Sequence, residues 1–117
     1  MSQFSKLQKE QLKSVAFPIW QNIIDASRDR NYARFSRGFS SDLLSKLSEQ
    51  HFMQSCDDFP LLTTIADDFE FIDSIARENG ITILWRVKST QYAGEFLGLL
   101  TLQAAEKGME ITAVSVN

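Results

Sequence analysis

His51 is the only histidine in the chain, and imidazole is the one side chain whose unperturbed pKa lies near neutrality, so acid/base chemistry would look to it first. Glu49, Asp57 and Asp58 lie close by in sequence. No second histidine stands at a metal-ligand spacing, so the pattern reads as a surface or pocket-rim residue instead of a catalytic or metal-binding one. Cys56 precedes Asp57-Asp58, whose like charge disfavours a thiolate, the opposite of what a nucleophile needs. It reads as a small buried apolar residue. No phosphate loop, metal cluster or nucleophile motif stands elsewhere, so no catalytic residue, metal or cofactor is expected.

Trp20, Tyr32 and Trp85 are the side chains best suited to wall a small-molecule cavity, because aromatic walls with a few polar tips are typical of such sites. Aromatics at helical or strand spacing are, however, more often plain core. The distinction rests on the elements that carry them.

A chain of 117 residues, 44% hydrophobic and 23% charged, has the size and balance of one folded domain, residues 1–117. A formal charge of -3 creates no field to draw in nucleic acid. The densest basic stretch, Arg28-Asp29-Arg30 with Arg34 and Arg37, is interrupted by acid and reads as a solvated face or local ion pairs. The single cysteine permits no intrachain disulfide and implies no oxidising compartment. No apolar stretch near Met1 to Lys13 has the length of a signal or membrane segment, so no membrane association and a cytoplasmic setting are expected.

Helices are expected over about 4–59. Leu12, Val15, Ile19, Ile23 and Ala26 recur at helical steps, with Ala16, Trp20 and Ile24 beside them. Pro18 interrupts this run; one kinked helix is favoured over two separate ones. Tyr32, Phe35 and Phe39 continue at helical spacing, Ser40-Ser41-Asp42 offers N-caps for Leu43, Leu44 and Leu47, and Ser48 caps a turn ending near Phe59-Pro60.

The second half alternates instead, predicting an antiparallel meander over about 68–116, with strands near 68–77, 81–89, 95–104 and 109–116. Ile65, Phe69, Ile72 and Ala76 also fit a helix ending at Asn79-Gly80; the turn and the partner strand favour a strand. A two-residue type I′ turn at Asn79-Gly80 sets Ala76 by Ile83, Ser74 by Trp85 and Asp73 by Arg86. A loop over 91–94 sets Trp85 opposite Leu100, and a Lys107-Gly108 turn sets Leu102 opposite Ala113.

These registers put Ile72, Ala76, Ile81, Ile83, Trp85, Val87, Phe96, Leu100, Leu102, Ile111 and Ala113 toward the helices. Ser74 and Ser115 are the inward polar positions that a packed core least requires, and so they join His51 as pocket candidates. The opposite face carries Phe71, Ile75, Leu84, Leu97, Leu99, Val114 and Val116 around the pair Asp73 and Arg86. A solvated sheet face is ordinarily polar. This one predicts a homodimer packed through the sheet.

Trp20 and Ile24 leading into Asp29-Arg30-Asn31-Tyr32-Ala33-Arg34-Phe35 and Phe39-Ser40, then Leu84-Trp85-Arg86-Val87-Lys88 and Gly94-Glu95-Phe96-Leu97-Gly98, resemble the nuclear-transport-factor-2-like superfamily. That superfamily includes the SnoaL-like and ketosteroid-isomerase-like proteins. The resemblance implies an α+β, cystatin-like cone: N-terminal helices on a curved four-stranded antiparallel sheet, a pocket between them, and dimers through the sheet. Its members are enzymes or non-catalytic binders, so fold leaves function open. A non-catalytic binding or interaction domain holding a small apolar ligand is the favoured expectation. The alternative is an isomerase- or dehydratase-like enzyme using pocket groups such as Asp25, Tyr32 or His51.

Overall fold

The computed structural model describes residues 9–106 and 108–117, with Lys9 as backbone only. Helix α1 spans Lys9–Arg28, running through Pro18; the expected start of this helix before Lys9 lies outside the described residues. It buries Leu12, Ala16, Trp20, Ile23, Ile24, Ala26 and Ser27, a stripe whose three- and four-residue steps keep one face on the core. Three short helices follow, α2 (Tyr32–Phe35), α3 (Ser41–Lys46) and α4 (Glu49–Asp58). Each begins where a side-chain oxygen accepts an otherwise unpaired backbone N–H: Asn31 from Arg34, Ser40 from Leu43, and Ser48 from His51. Helix α4 stops before Pro60, which opens a single 3₁₀ turn over Pro60–Thr63.

Strands β1 (Glu70–Ala76), β2 (Gly80–Lys88), β3 (Glu95–Ala105) and β4 (Gly108–Val116) form an antiparallel meander in chain order. The fold is α+β, helices first and an open four-stranded sheet after. The segment over 70–76 is a strand, because β2 supplies its ladder. The turn into β2 nevertheless differs from expectation. Arg77 donates its N–H to the Gly80 carbonyl at 2.8 Å, so Glu78 and Asn79 are the loop residues. Among the described residues only Arg30 outside glycine has a positive φ, and Gly80 is not among the positive-φ glycines; the turn is therefore not type I′.

Every register slides. Ala76 pairs with Ile81 and Ser74 with Ile83, while Ile83 faces Leu100 and Trp85 faces Gly98. These slides are by two residues and preserve the faces. Two bulges then reverse them locally. Ile72 is the extra residue between Phe71 and Asp73, and Thr112 the extra residue between Ile111 and Ala113. Phe71, expected on the outer face, therefore sits opposite Trp85 and packs edge-on against it at 5.9 Å. Val114 and Val116 likewise pair with Leu100 and Gly98 and pack on the core. Ile72, Ala76 and Ala113, expected in the core, are exposed. The expected Asp73–Arg86 pair does not form: Asp73 faces Leu84, and Arg86 faces Glu70. The Arg86 guanidinium lies 3.2 Å from the Glu70 carboxylate and 3.7 Å from that of Glu95.

The core centres on Trp20 and Trp85, both fully buried, stacked with ring centroids 5.5 Å apart and planes 6° from parallel. Gly98, opposite Trp85, leaves room for this stack: a Cβ there would lie 2.5 Å from Trp20 Cζ2. The helical layer is tied to the sheet through backbone as well. Ser40 donates to the Ile111 carbonyl at 2.9 Å and Ile111 to that of Gly38 at 2.7 Å, so the chain before α3 covers part of the β4 edge. No helix among the described residues is long and apolar enough to cross a membrane.

Candidate functional site

The helices do not close completely on the sheet. Between the C-terminal half of α1, the start of α4, the 3₁₀ turn and the end of β4 lies a cavity of about 310 Å³, at the lower end of the range for small-molecule sites. Helix α1 contributes Ile23, Ile24 and Ser27, α2 contributes Phe35, and α4 contributes Phe52 and Ser55. Leu61, Leu62 and Ile65 close one side, and residues 114–117 the other. Phe59 also lines it while remaining 64% exposed, which marks the mouth.

Local sequence explains each wall. Ile23, Ile24 and Ser27 lie on successive turns of α1, three and four residues apart, and so share its inner face. The Thr112 bulge turns Val114 and Val116 inward, and β4 is held at that end by two backbone hydrogen bonds between Leu97 and Asn117, each 2.9 Å. Thr64 and Ser89 hydroxyls meet at 2.8 Å, and Thr90 donates its backbone N–H to the Thr64 carbonyl at 2.7 Å, anchoring the far end of the 3₁₀ turn.

The wall is apolar except for Ser27, Ser55, Ser115 and Asn117, and none of the described residues lining it has a titratable side chain. The Ser27 hydroxyl already donates to the Ile23 carbonyl at 2.8 Å. Among the described residues, the Ser55 hydroxyl and the Asn117 side-chain amide make no hydrogen bond. The cavity therefore offers dispersion contacts and a few neutral hydrogen-bonding groups.

The pocket candidates from sequence do not converge there. Trp20 and Trp85 form the solid core stack. Tyr32 is half-buried and donates its hydroxyl to the Leu47 carbonyl at 2.7 Å, so its polar tip fixes the helical layer. His51 is exposed on the first turn of α4, with Nδ1 3.0 Å from the Ser48 hydroxyl. Ser74 is half-buried on β1, away from the cavity. Ser115 does line it, but from the outer-face parity, opposite Leu99 and exposed at the lip. Asp25 lies 2.5 Å from Arg28, which also reaches Asp67 at 2.8 Å. That second contact raises the Arg28 pKa and, with a hydrogen bond from Gln21, holds the Asp67 carboxyl below its ordinary range.

Cys56 is 1% exposed, and burial is the main cause pushing its thiol pKa up; the Asp57 charge adds to this and Arg30 opposes it. Such a thiol stays protonated and inert. Alkylation by iodoacetamide at neutral pH is expected to be at least about tenfold slower in the native protein than in urea; equal rates would show that the α4 face opens readily. Among the described residues no three His, Cys, Asp or Glu side chains group to hold a metal ion.

The outer sheet face retains much of its expected character. Ile75, Leu84, Leu97 and Leu99 lie on it beside Asp73 and Arg86, and Ile72 joins them through its bulge. Ile72, Ile75 and Leu97 are 44%, 46% and 39% exposed. The chain matches no protein-family model, no curated protein and no solved structure.

Proposed function

We propose that this domain is a non-catalytic binding module that holds a small apolar ligand between its helices and sheet and assembles as a homodimer through the outer sheet face. The observation that carries the first half is the cavity itself. It has the volume of a small-molecule site and a wall without a single titratable side chain. An enzyme of the isomerase or dehydratase kind needs a carboxylate and a donor within reach of one ligand atom. Asp25, Tyr32 and His51 are instead engaged elsewhere, with Arg28, the Leu47 carbonyl and Ser48. The cone of helices on a meander is also the arrangement that the resemblance to the nuclear-transport-factor-2-like proteins implies.

The dimer rests on the exposed Ile72, Ile75 and Leu97 with half-buried Leu84 and Leu99 between them. Arg86 is neutralised within the face by Glu70 and Glu95. The surface is therefore apolar with its central cation paired, and a second copy presents the same surface across a two-fold axis.

Two measurements test the two halves separately. N-phenylnaphthylamine, a neutral fluorophore, is expected to bind with one site per chain, and Val114→Trp, which fills the cavity from β4, to abolish that binding in a protein with an unchanged circular dichroism spectrum. Sedimentation at micromolar concentration is expected to give a dimer that Leu97→Lys converts to a folded monomer. A monomeric unaltered chain would remove the dimer.

A further inference from the structure

We infer that the cavity is selective by charge: it takes neutral molecules with one hydrogen-bonding end and rejects the carboxylate of the same skeleton. This rests on the apolar-ligand reading above and names the ligand class it admits. Among the described residues the wall carries no cationic side chain, so a carboxylate would be buried without a partner, and an unpaired buried charge is far more costly than a neutral polar group.

The cations directly beside the lining Ser27, Phe35 and Leu47 are also paired, Lys46 with Asp42 at 3.1 Å. Arg28, next to the cavity-lining Ser27, is held by Asp25 at 2.5 Å and Asp67 at 2.8 Å. Arg30 is held by Asp57 at 2.6 Å, and Arg34 lies 3.6 Å from Asp29. A fatty carboxylate entering at Phe59 would have to break one of these pairs to find a counter-charge, exchanging one ion pair for another.

A neutral end is served differently. The Ser27 hydroxyl has committed its hydrogen to the Ile23 carbonyl and retains lone pairs to accept from a ligand hydroxyl. Ser55 and Asn117 supply groups able both to donate and to accept. An alcohol, ketone or amide is satisfied by these three residues; a carboxylate finds no counter-charge among them.

The test uses the intact chain with bound N-phenylnaphthylamine and two competitors of one skeleton, octanol and octanoate, at neutral pH. Octanol is expected to displace the probe at concentrations at least about a hundredfold below octanoate, a gap that corresponds to two tenfold steps in affinity. A second variant turns the logic around. Ser55→Lys places a cation at the wall and is expected to improve octanoate relative to octanol at least about tenfold. Equal displacement by octanol and octanoate, with the probe still lost in Val114→Trp, would overturn charge selection and leave the apolar-ligand reading standing. Failure of the probe to bind at all, or binding unaffected by Val114→Trp, would overturn both.

Discussion

Trp20→Ala is expected to lower the unfolding free energy by about 3–5 kcal/mol, the range for deleting a buried aromatic side chain, and so to remove a large share of the roughly 5–15 kcal/mol available to a domain of this kind. Trp20 has no exposed surface, and its loss also ends the stack on Trp85, with offset aromatic pairs contributing about 0.5–1.5 kcal/mol beyond burial. The space cannot close by sliding the sheet, since Phe69 and Phe71 hold Trp85 edge-on at 5.6 Å and 5.9 Å. Trp20→Phe has a different balance. Among the described residues the buried Trp20 indole nitrogen has no hydrogen-bond partner, and an unpaired buried donor costs about 1–3 kcal/mol. Phenylalanine removes that donor and keeps one ring, so its loss is expected to be less than half that of alanine. Urea unfolding followed by circular dichroism measures both. Equal losses for the two variants would show that the indole N–H finds a partner in solution.

How far the sequence prescribes this architecture depends on whether the signal is local. The caps at Ser40 and Ser48 were readable because a side-chain oxygen three residues before a free N–H is a local geometry. The alternation in β2 and β3 was equally readable, and so were the faces of those central strands, because a two-residue slide conserves parity. The edge strands were not. A bulge adds one residue without altering composition, and Ile72 and Thr112 carry no mark that distinguishes them from regular strand residues. Through those two residues the Phe71, Val114 and Val116 positions moved from the outer face to the core side, and Ser115 moved the other way.

The same bulges hide most of the cavity wall, because they turn Val114 and Val116 inward while the sequence singles out the aromatics. Trp20 and Trp85 are the largest aromatics, but size is what lets them fill the centre; the space remains where smaller Ile23, Ile24, Val114 and Val116 meet a 3₁₀ turn. A signal did exist in the run Phe59-Pro60-Leu61-Leu62, where four apolar residues outside any regular pattern need a surface to rest on. Helix α4 and β4 provide it, and their separation there is what leaves the cavity.

Gly80→Ala is expected to cost about 3 kcal/mol, the upper end of the usual overpacking penalty, while Asn79→Ala, one residue earlier, is expected to stay within about 0.5 kcal/mol of the unaltered protein. The contrast discriminates between two reasons for an Asn-Gly pair. In a type I′ turn both residues hold positive φ, and replacing either by alanine strains the backbone. Here neither has a positive φ, and Asn79 is exposed, so its side chain has little to lose. Gly80 is required for space: a Cβ would stand 2.1 Å from the Leu102 carbonyl oxygen and 3.1 Å from Gln103 Cα. Both obstacles are backbone of β3, which cannot rotate aside as a side chain would. Relief requires β2 and β3 to separate at the Gly80–Gln103 pair, loosening the ladder next to Ile81 and Leu102 in the core. Paired chemical denaturation of the two variants decides it. A large loss from Asn79→Ala would restore the positive-φ turn and with it the original register, returning Asp73 to a place opposite Arg86.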